Sequence, residues 1–157
     1  MNLDPFDLKI IEALQTDARQ TNLALAEKIG LSPTPCLRRV RRLEEMGIIQ
    51  GYKVDIGRSQ MGLNLTIFVG VKVERHQDEE ATNFVQTVTS WPEVIACHLV
   101  SGDVDFLLEV VAATMEDYEQ FVLQSLLKIH GVKDVRTNFS MRTYKTNGNL
   151  PVRHASK

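Results

Sequence analysis

Cysteine is scarce in this sequence, which has only Cys36 and Cys97 among 157 residues. The two are far apart and outside any CxxC spacing, so the sequence predicts neither a disulfide framework nor a zinc site. The four histidines are dispersed without ligand spacing, which argues against a bound metal or other cofactor. A reducing cytoplasm is the compartment that this cysteine usage favours.

Long apolar runs are also missing. No stretch approaches the roughly 18 consecutive apolar residues that a membrane-spanning helix needs, and the first residues, "MNLDPFDLK", have neither the basic start nor the apolar run of a signal peptide. No glycine-rich phosphate loop is present, because "GIIQG" is too short and lacks a following lysine and helix. No pair of acid and base residues and no activated nucleophile stands out, so we expect a protein that is not an enzyme.

The sequence has no overall excess of positive charge, but its basic residues are locally concentrated. The net charge is −2, yet residues 33–53 hold five basic residues against two acidic ones. Four of the five are arginines in "LSPTPCLRRVRRLEEMG", residues 31–47. A small basic patch on an acidic body predicts a local contact with phosphates.

The N-terminal part of the sequence shows the periodicity of three short helices. They are predicted over 4–17, over 22–30 and from Ser32 or Thr34 to Gly47, with Asp4 as the first N-cap and Pro5 at the first helical position. Three short helices with a tight turn between the second and third predict a helix-turn-helix. The β-rich segment "IIQGYKVDI", residues 48–56, follows like a wing or connecting strand.

The C-terminal part alternates strand and helix patterns in the order βαββαβ, which predicts a ferredoxin-like sheet and an α+β protein. The predicted elements are strands 65–74, 93–102, 105–113 and 132–146 and helices 78–90 and 115–129. We expect Phe68, Leu107 and Phe139 on the sheet face away from the helices, covered by a second copy of the same sheet. The predicted domains are a helix-turn-helix domain with its connecting strand (1–56), a linker (57–64), the ferredoxin-like domain (65–146) and a loosely ordered tail (147–157).

On a helical wheel, the third helix separates its arginines. Arg38, Arg41 and Arg42 fall on the outer face, whereas Arg39 lies on the flank and is expected to anchor the helix to its own domain. Arginine is the commonest group that reads bases in the major groove, so the outer face predicts DNA contacts. The alternative is a solvated charged face with an Arg41–Glu45 pair.

The start of the third helix adds to this prediction. Ser32 and Thr34 bring hydroxyl groups to the helix N-terminus, a position suited to a phosphate.

Two motifs carry a family resemblance. The segments "LSPTPCLRRVRRLEEMGIIQGY" (31–52) and "ACHLVSGDVDFLL" (96–108) resemble the leucine-responsive regulatory protein and asparagine regulator (Lrp/AsnC) family of bacterial transcription regulators, and the leucine-responsive branch in particular. The resemblance spans nearly the whole chain. It implies an N-terminal DNA-binding domain that is a winged helix-turn-helix and a C-terminal ferredoxin-like domain that senses amino acids. It also implies dimers that assemble into rings, often octamers.

The resemblance further implies effector pockets between neighbouring dimers, lined by a Gly-Asp-x-Asp turn. The residues that it assigns to ligand binding are Ser101, Gly102, Asp103, Val104, Asp105, Arg136 and Thr137. The chemistry of the turn agrees, because an amino acid needs an acceptor for its ammonium group and N–H donors for its carboxylate. Without the resemblance, the same residues describe an ordinary hairpin turn.

The predicted function is therefore an amino-acid-responsive, DNA-binding transcription regulator. The expected partners are double-stranded DNA, leucine or methionine as effector, and other copies of the chain in an octameric ring. The expected location is the cytoplasm, in association with the nucleoid. Two alternatives stay open: an enzyme that uses the ferredoxin-like domain, and a structural protein that compacts DNA without an effector.

Overall fold

The computed structural model describes residues 3–74 and 78–152, and the chain divides into two compact units. The first unit takes in the described residues of Met1–Asp55 and Lys145–Lys157, and the second comprises the described residues of Ile56–Tyr144. Among the described residues, no helix is long and apolar enough to cross a membrane. The domain boundaries drawn from the sequence stay a prediction.

Three helices form the first unit: α1 (Pro5–Thr16), α2 (Asn22–Ile29) and α3 (Pro33–Glu45). Asp4 is the N-cap of α1 and Pro5 its first residue, which confirms the sequence prediction. Asp4 accepts hydrogen bonds from the N–H groups of Phe6 and Asp7 at 2.9 and 3.0 Å, and the Asp7 carboxylate accepts from the Asp4 N–H at 3.1 Å. This reciprocal capping box satisfies N–H groups that a helix start otherwise leaves unpaired.

An apolar core joins the three helices. Its buried members are Ile10, Ala13, Leu25, Ala26, Ile29, Cys36 and Leu43. Cys36 is fully buried on α3, and burial raises the pKa of its thiol. This cysteine therefore acts as a packing residue.

The tight turn between α2 and α3 depends on Gly30. Gly30 has φ 77°, a left-handed conformation that glycine adopts without steric penalty. The N–H of Leu31 then reaches back to the carbonyl of Ala26 at 2.9 Å, which closes α2 and redirects the chain into α3.

The segment predicted as a wing or connecting strand forms no strand in the described part of the chain. Residues 48–56 lack ladder pairing, and the side chains of Val54 and Ile56 are exposed. Ile48 and Ile49 are half-buried against the core of the first unit. β-branched residues favour strands only where a neighbouring strand and a packing surface are present, and no strand pairs with residues 48–56 in the described part of the chain. Tyr52 is fixed by a hydrogen bond from its hydroxyl to Glu44 at 2.8 Å.

The described part of the tail is bonded to the first unit. The Gln15 side chain donates to the Leu150 carbonyl at 3.2 Å and accepts from the Leu150 N–H at 2.6 Å. Asn147 donates to the Asp55 carboxylate at 3.0 Å. The tail, predicted from the sequence to be loosely ordered, is therefore hydrogen-bonded as far as Leu150, and residues 153–157 lie outside the described part.

The second unit is a four-stranded antiparallel sheet with helices. Its strands are β1 (Leu65–Val73), β2 (Val94–Leu99), β3 (Phe106–Ala112) and β4 (Val132–Phe139), in the spatial order β2-β3-β1-β4. The helices are α4 (Asp78–Thr89) and α5 (Met115–Gln120). After α5 the chain continues through a π-helical turn (Phe121–Ser125) and a 3₁₀ turn (Leu126–Lys128). The order βαββαβ and the α+β class are as the sequence predicts.

The core of the second unit lies between the sheet and its helices. Buried residues of β1 and β3 alternate along each strand and pack against Phe84 and Val88 of α4 and Tyr118 of α5. The Phe84 and Phe106 rings lie 4.8 Å apart. This core places the helices on one face and leaves the other face without them.

The face without helices carries Phe68 and Leu107, as predicted, but not Phe139. Phe139 lies opposite Ile67, which is fully buried under the helices, and its ring meets that of Tyr118 edge-on at 5.4 Å. The prediction for Phe139 was wrong because directly paired residues of neighbouring strands share a face. At one end of this open face, Arg58 binds Glu109 at 2.9 Å.

Candidate functional site

The first candidate site is the outer surface of α3, which the turn after α2 positions. Ser32 is the N-cap of α3, but its side chain makes no capping hydrogen bond, and it is exposed. Asn22 donates to the Pro33 carbonyl at 2.8 Å and so fixes the start of α3 against α2. The hydroxyl of Ser32 is thus available at a rigidly held helix start.

Prolines limit what this helix start can offer a phosphate. Pro33 and Pro35 have no N–H, and the Cys36 N–H bonds to the Ser32 carbonyl at 3.2 Å. Thr34 is therefore the one residue of the first three whose N–H can reach a ligand. With the hydroxyls of Ser32 and Thr34, it forms a small set of donors for one phosphate.

Arg38 and Arg41 lie exposed on α3, and neither forms an ion pair within the described part of the chain. The alternative pairing of Arg41 with Glu45 is not formed. Their charge is directed to solvent. Such free guanidinium groups suit phosphate and guanine contacts.

Arg39 is an anchor, which confirms the sequence prediction. Its guanidinium binds the carboxylate of Asp4 at 2.5 Å and that of Asp7 at 2.8 Å. It also lies over the Phe6 ring, 5.5 Å from the centroid. These contacts tie α3 to the first turn of α1.

Arg42 differs from the sequence expectation in its surroundings. The sequence placed it with Arg38 and Arg41, and its side chain is half exposed, but its guanidinium binds the carboxylate of Asp7. Asp7 itself is fully buried. Asp7 was not among the residues predicted from the sequence, although its position three residues after an aspartate N-cap is the signature of a capping box.

The pKa of Asp4 reflects this cluster. Burial raises the pKa of its carboxyl group, but the hydrogen bonds from Arg39 and from the N–H groups of Asp7 and Phe6 outweigh burial. The pKa of Asp4 is therefore below its ordinary value. Asp4 therefore stays ionised to a lower pH than a free aspartate does.

The second candidate site is the turn of residues 101–105 between β2 and β3. Gly102 has φ 127°, a conformation that other residues rarely adopt. Val104 folds over Gly70 of β1 so closely that a Cβ atom at position 70 would lie 3.0 Å from the Val104 side chain. The missing side chain of Gly70 thus lets the turn lie on the sheet.

Asp105 holds the turn from inside. It is 9% exposed, and its carboxylate accepts a hydrogen bond from the Val73 N–H at 3.0 Å. Its own N–H donates to the Val71 carbonyl at 2.9 Å, and its carbonyl accepts from the Val100 N–H at 2.9 Å. The structure therefore joins Asp105 to the end of β1.

Asp103 and Arg136 form the outer part of this site. The Asp103 side chain is 89% exposed and lies 3.5 Å from the Arg136 guanidinium, which also contacts Asp134 at 3.2 Å. Thr137 follows Arg136 in β4, so its side chain points to the opposite face of the sheet. There its hydroxyl lies 2.5 Å from that of Tyr118. The structure brings Arg136 to the turn, but not the Thr137 side chain.

Other chemistry has little support in the described residues. No group of three or more His, Cys, Asp or Glu side chains could hold a metal ion there. Burial raises the pKa of the Cys97 thiol, the opposite of what a nucleophile needs. These findings leave the α3 surface and the 101–105 turn as the two candidate sites.

Both halves of the chain match known families. Residues 66–150 match the Lrp/AsnC ligand binding domain, and residues 3–50 match a winged helix-turn-helix DNA-binding domain. The chain is 41% identical over 145 residues to the leucine-responsive regulatory protein of Rhizobium meliloti, which covers 92% of this chain and 93% of the relative. It is 38% identical over 152 residues to the protein of the same name from Escherichia coli K12, covering 97% and 93%.

A solved structure is also similar. The crystal structure of a transcriptional regulator from Neisseria meningitidis in complex with L-methionine superposes with a TM-score of 0.93 at 36% identity. The match covers 98% of this chain and 99% of the other. The similarity therefore extends over both units.

Proposed function

We propose, from the premise that this chain belongs to the Lrp/AsnC family of DNA-binding transcription regulators, that it is a regulator whose amino-acid effector is leucine or methionine. The family is not one of enzymes, and its members join a helix-turn-helix to an amino-acid-binding domain. The observation that supports methionine is the 36% identical, nearly full-length relative in complex with L-methionine. The curated relatives named for leucine add the second candidate.

For DNA, the proposed contact set is Ser32, Thr34, Arg38 and Arg41. The two arginines supply free guanidinium groups, and the start of α3 supplies the hydroxyls and one N–H for a phosphate. Arg42 is ion-paired with Asp7, so we leave it out of this set. Since α3 is a recognition helix in this proposal, its exposed face enters the major groove, with the N-terminal residues nearest the bases.

For the effector, the proposed site is the 101–105 turn together with Arg136 and the backbone near Thr137. Asp103 is the exposed carboxylate that can bind an ammonium group, with N–H groups of the turn for the ligand carboxylate. Asp105 shapes the turn through its bond to the Val73 N–H. Two grooves, of about 980 Å³ in the first unit and 590 Å³ in the second, contain no residue of the turn. A neighbouring subunit would then complete the wall around the side chain of the ligand.

For assembly, we propose dimers that join through the open sheet face, and a ring of such dimers up to an octamer. Phe68 is 38% exposed on that face, where an apolar ring favours burial against a second sheet. An effector bound between dimers changes the assembly only by its difference in affinity between the assembly states. A protein with this role works on the chromosome, in the cytoplasm and in association with the nucleoid.

The test is isothermal calorimetry of the full chain with each of the twenty amino acids, followed by sedimentation with and without the best ligand. We expect leucine or methionine to bind most tightly and to shift the oligomer distribution. Asp103→Asn is expected to weaken binding, with Asp134→Asn as a matched control, since both carboxylates contact Arg136. If no amino acid binds while DNA still does, the protein is a DNA-compacting protein without an effector.

A further inference from the structure

The first turn of α1 and the middle of α3 form a closed cluster of charges, the Asp7 cluster, which comprises Asp4, Asp7, Arg39 and Arg42. Asp7 is fully buried, and its two carboxylate oxygens bind different arginines: Oδ1 lies 2.8 Å from Arg39, and Oδ2 binds Arg42. Asp4 adds a second carboxylate to Arg39 at 2.5 Å. Two negative charges thus meet two positive ones.

This cluster halves the arginine charge that α3 can offer to DNA. A buried carboxylate without its cationic partners is costly, because the interior lacks the water that would solvate it. Arg42 can turn to a phosphate only by leaving Asp7 with fewer partners. Arg38 and Arg41 can bind a phosphate without breaking an ion pair, since neither forms one in the described part of the chain.

Direction, and not position along the helix, separates Arg42 from Arg41. The two residues are neighbours in α3, but the Arg42 guanidinium is directed to the Asp7 carboxylate of α1, whereas Arg41 is exposed and forms no ion pair in the described part of the chain. Since one residue adds only about 1.5 Å along a helix, an Arg42 released from Asp7 lies beside the DNA backbone that Arg41 contacts in this proposal.

We propose that Asp7 is a positioning residue that withholds Arg39 and Arg42 from DNA, so that α3 binds DNA with Arg38 and Arg41. The inference rests on the proposed role of α3 as the DNA-contacting helix. In this proposal Asp7, which lies in α1 and outside the proposed contact set, determines how many DNA phosphates the protein neutralises.

The salt dependence of DNA binding measures this number directly. Each phosphate contact changes the slope of log K against log salt concentration by about 0.9. The probe is a fluorescein-labelled, mixed-sequence DNA duplex, titrated by anisotropy with the full chain at several NaCl concentrations. We expect Arg38→Met and Arg41→Met each to make this negative slope shallower, by about 0.9 per bound subunit. Arg42→Met is expected to leave the slope unchanged.

A second pair of variants tests Asp7 itself. Asp7→Asn keeps the shape of the side chain but removes its charge, so Arg42 becomes free to bind a phosphate. The negative slope is then expected to become steeper by about 0.9 per subunit. The double variant Asp7→Asn/Arg42→Met is expected to return to the wild-type slope. Glu12→Gln is the matched control, because it removes one negative charge from an exposed position of the same helix.

A merely structural role for Asp7 would lower stability and affinity but would not create a slope change that Arg42→Met reverses. Circular dichroism confirms that each variant is folded, and the Arg42→Met result stands even if Asp7→Asn unfolds. The inference is overturned if Arg42→Met makes the slope as shallow as Arg41→Met does. It is also overturned if Asp7→Asn changes the slope no more than Glu12→Gln. If no arginine variant of α3 changes the slope, the proposed function of α3 fails first, and the inference with it.

Discussion

The two units each bury one aspartate among their described residues, and the described partners of the two carboxylates differ in kind. In the first unit, Asp7 meets the guanidinium groups of Arg39 and Arg42. In the second, Asp105 meets the backbone N–H of Val73 at the end of β1. Asp7 also lies at a helix start, where it accepts a hydrogen bond from the Asp4 N–H, so it joins the arginines of α3 to the capping box of α1. Asp105 joins the turn after β2 to the end of β1. In both units the buried carboxylate therefore links two segments that are distant in sequence.

The largest expected effect comes from removing the acid that binds charges. Asp7→Ala leaves Arg39 with only Asp4 and Arg42 without a described ionic partner, and it also removes the capping box. The two arginines left behind are 25% and 48% exposed and can be hydrated, so the expected cost is that of the lost charge-assisted hydrogen bonds, about 1.5–3 kcal/mol each. Urea unfolding measures the loss. A loss within experimental error would show that the Asp7 cluster contributes little to stability.

A smaller effect is expected from removing the acid that binds the backbone. Asp105→Ala leaves the buried Val73 N–H without this acceptor, at a cost of about 1–3 kcal/mol. Asp105→Asn keeps an acceptor oxygen and is expected to recover most of the stability. If Asp105→Asn is as unstable as Asp105→Ala, the charge of Asp105 matters more than its hydrogen bond. Calorimetry on the same variants reports whether the effector still binds.

The anchoring and free arginines of α3 should separate stability from DNA affinity. Arg39→Ala is expected to lower the free energy of unfolding by about 1–2 kcal/mol, since it removes charge-assisted hydrogen bonds to Asp4 and Asp7. Arg41→Ala is expected to leave stability nearly unchanged and to weaken DNA binding by about 1–3 kcal/mol if it reads a base. Thermal unfolding and anisotropy on both variants provide the check, and the opposite pattern would contradict the assignment of faces.

The smallest effect concerns pH. The folded-state pKa of Asp4 is below its ordinary value of 3.8. Its ionised form therefore stabilises the fold above that value, and this contribution is lost as the pH falls through the folded-state pKa. Asp4→Asn keeps a good N-cap but removes the charge, so we expect a deficit of roughly 0.2–1 kcal/mol near neutral pH. Unfolding curves from pH 6 to pH 2 should show the deficit shrinking; a constant deficit would point to the cap and not to the charge.

The sequence predicts local features of this molecule well and long-range ones poorly. The cap at Asp4, the helices and the strand order follow from periodicity and from Gly and Pro positions, which act over a few residues. The bond between Asp7 and Arg42 joins residues 35 positions apart, so no local pattern reveals it. The helical wheel of α3 correctly predicted that Arg42 is exposed. It could not show that the Arg42 side chain binds Asp7.

The strand phases in the second unit show the same limit. In β4, apolar and polar residues do not alternate cleanly, so the sequence could not assign Phe139 to a face. The pairing of Phe139 with Ile67 assigns it to the face that the helices cover. Likewise, the closeness of Gly70 to Val104 depends on a turn more than thirty residues away, and only the folded sheet brings the two together.

The bonds between Gln15 and Leu150 have a consequence for the order of folding. They close a loop of 135 residues, and the entropy lost in closing a loop grows with its length. Once the sheet has formed, Ser140 is hydrogen-bonded to Thr66 at 2.9 Å, so the residues between these two no longer add to the loop that Gln15 and Leu150 close. We therefore expect the C-terminal segment to join α1 more readily after the sheet has formed than before, although the residues that hold it, Gln15 and Asp55, belong to the helical unit.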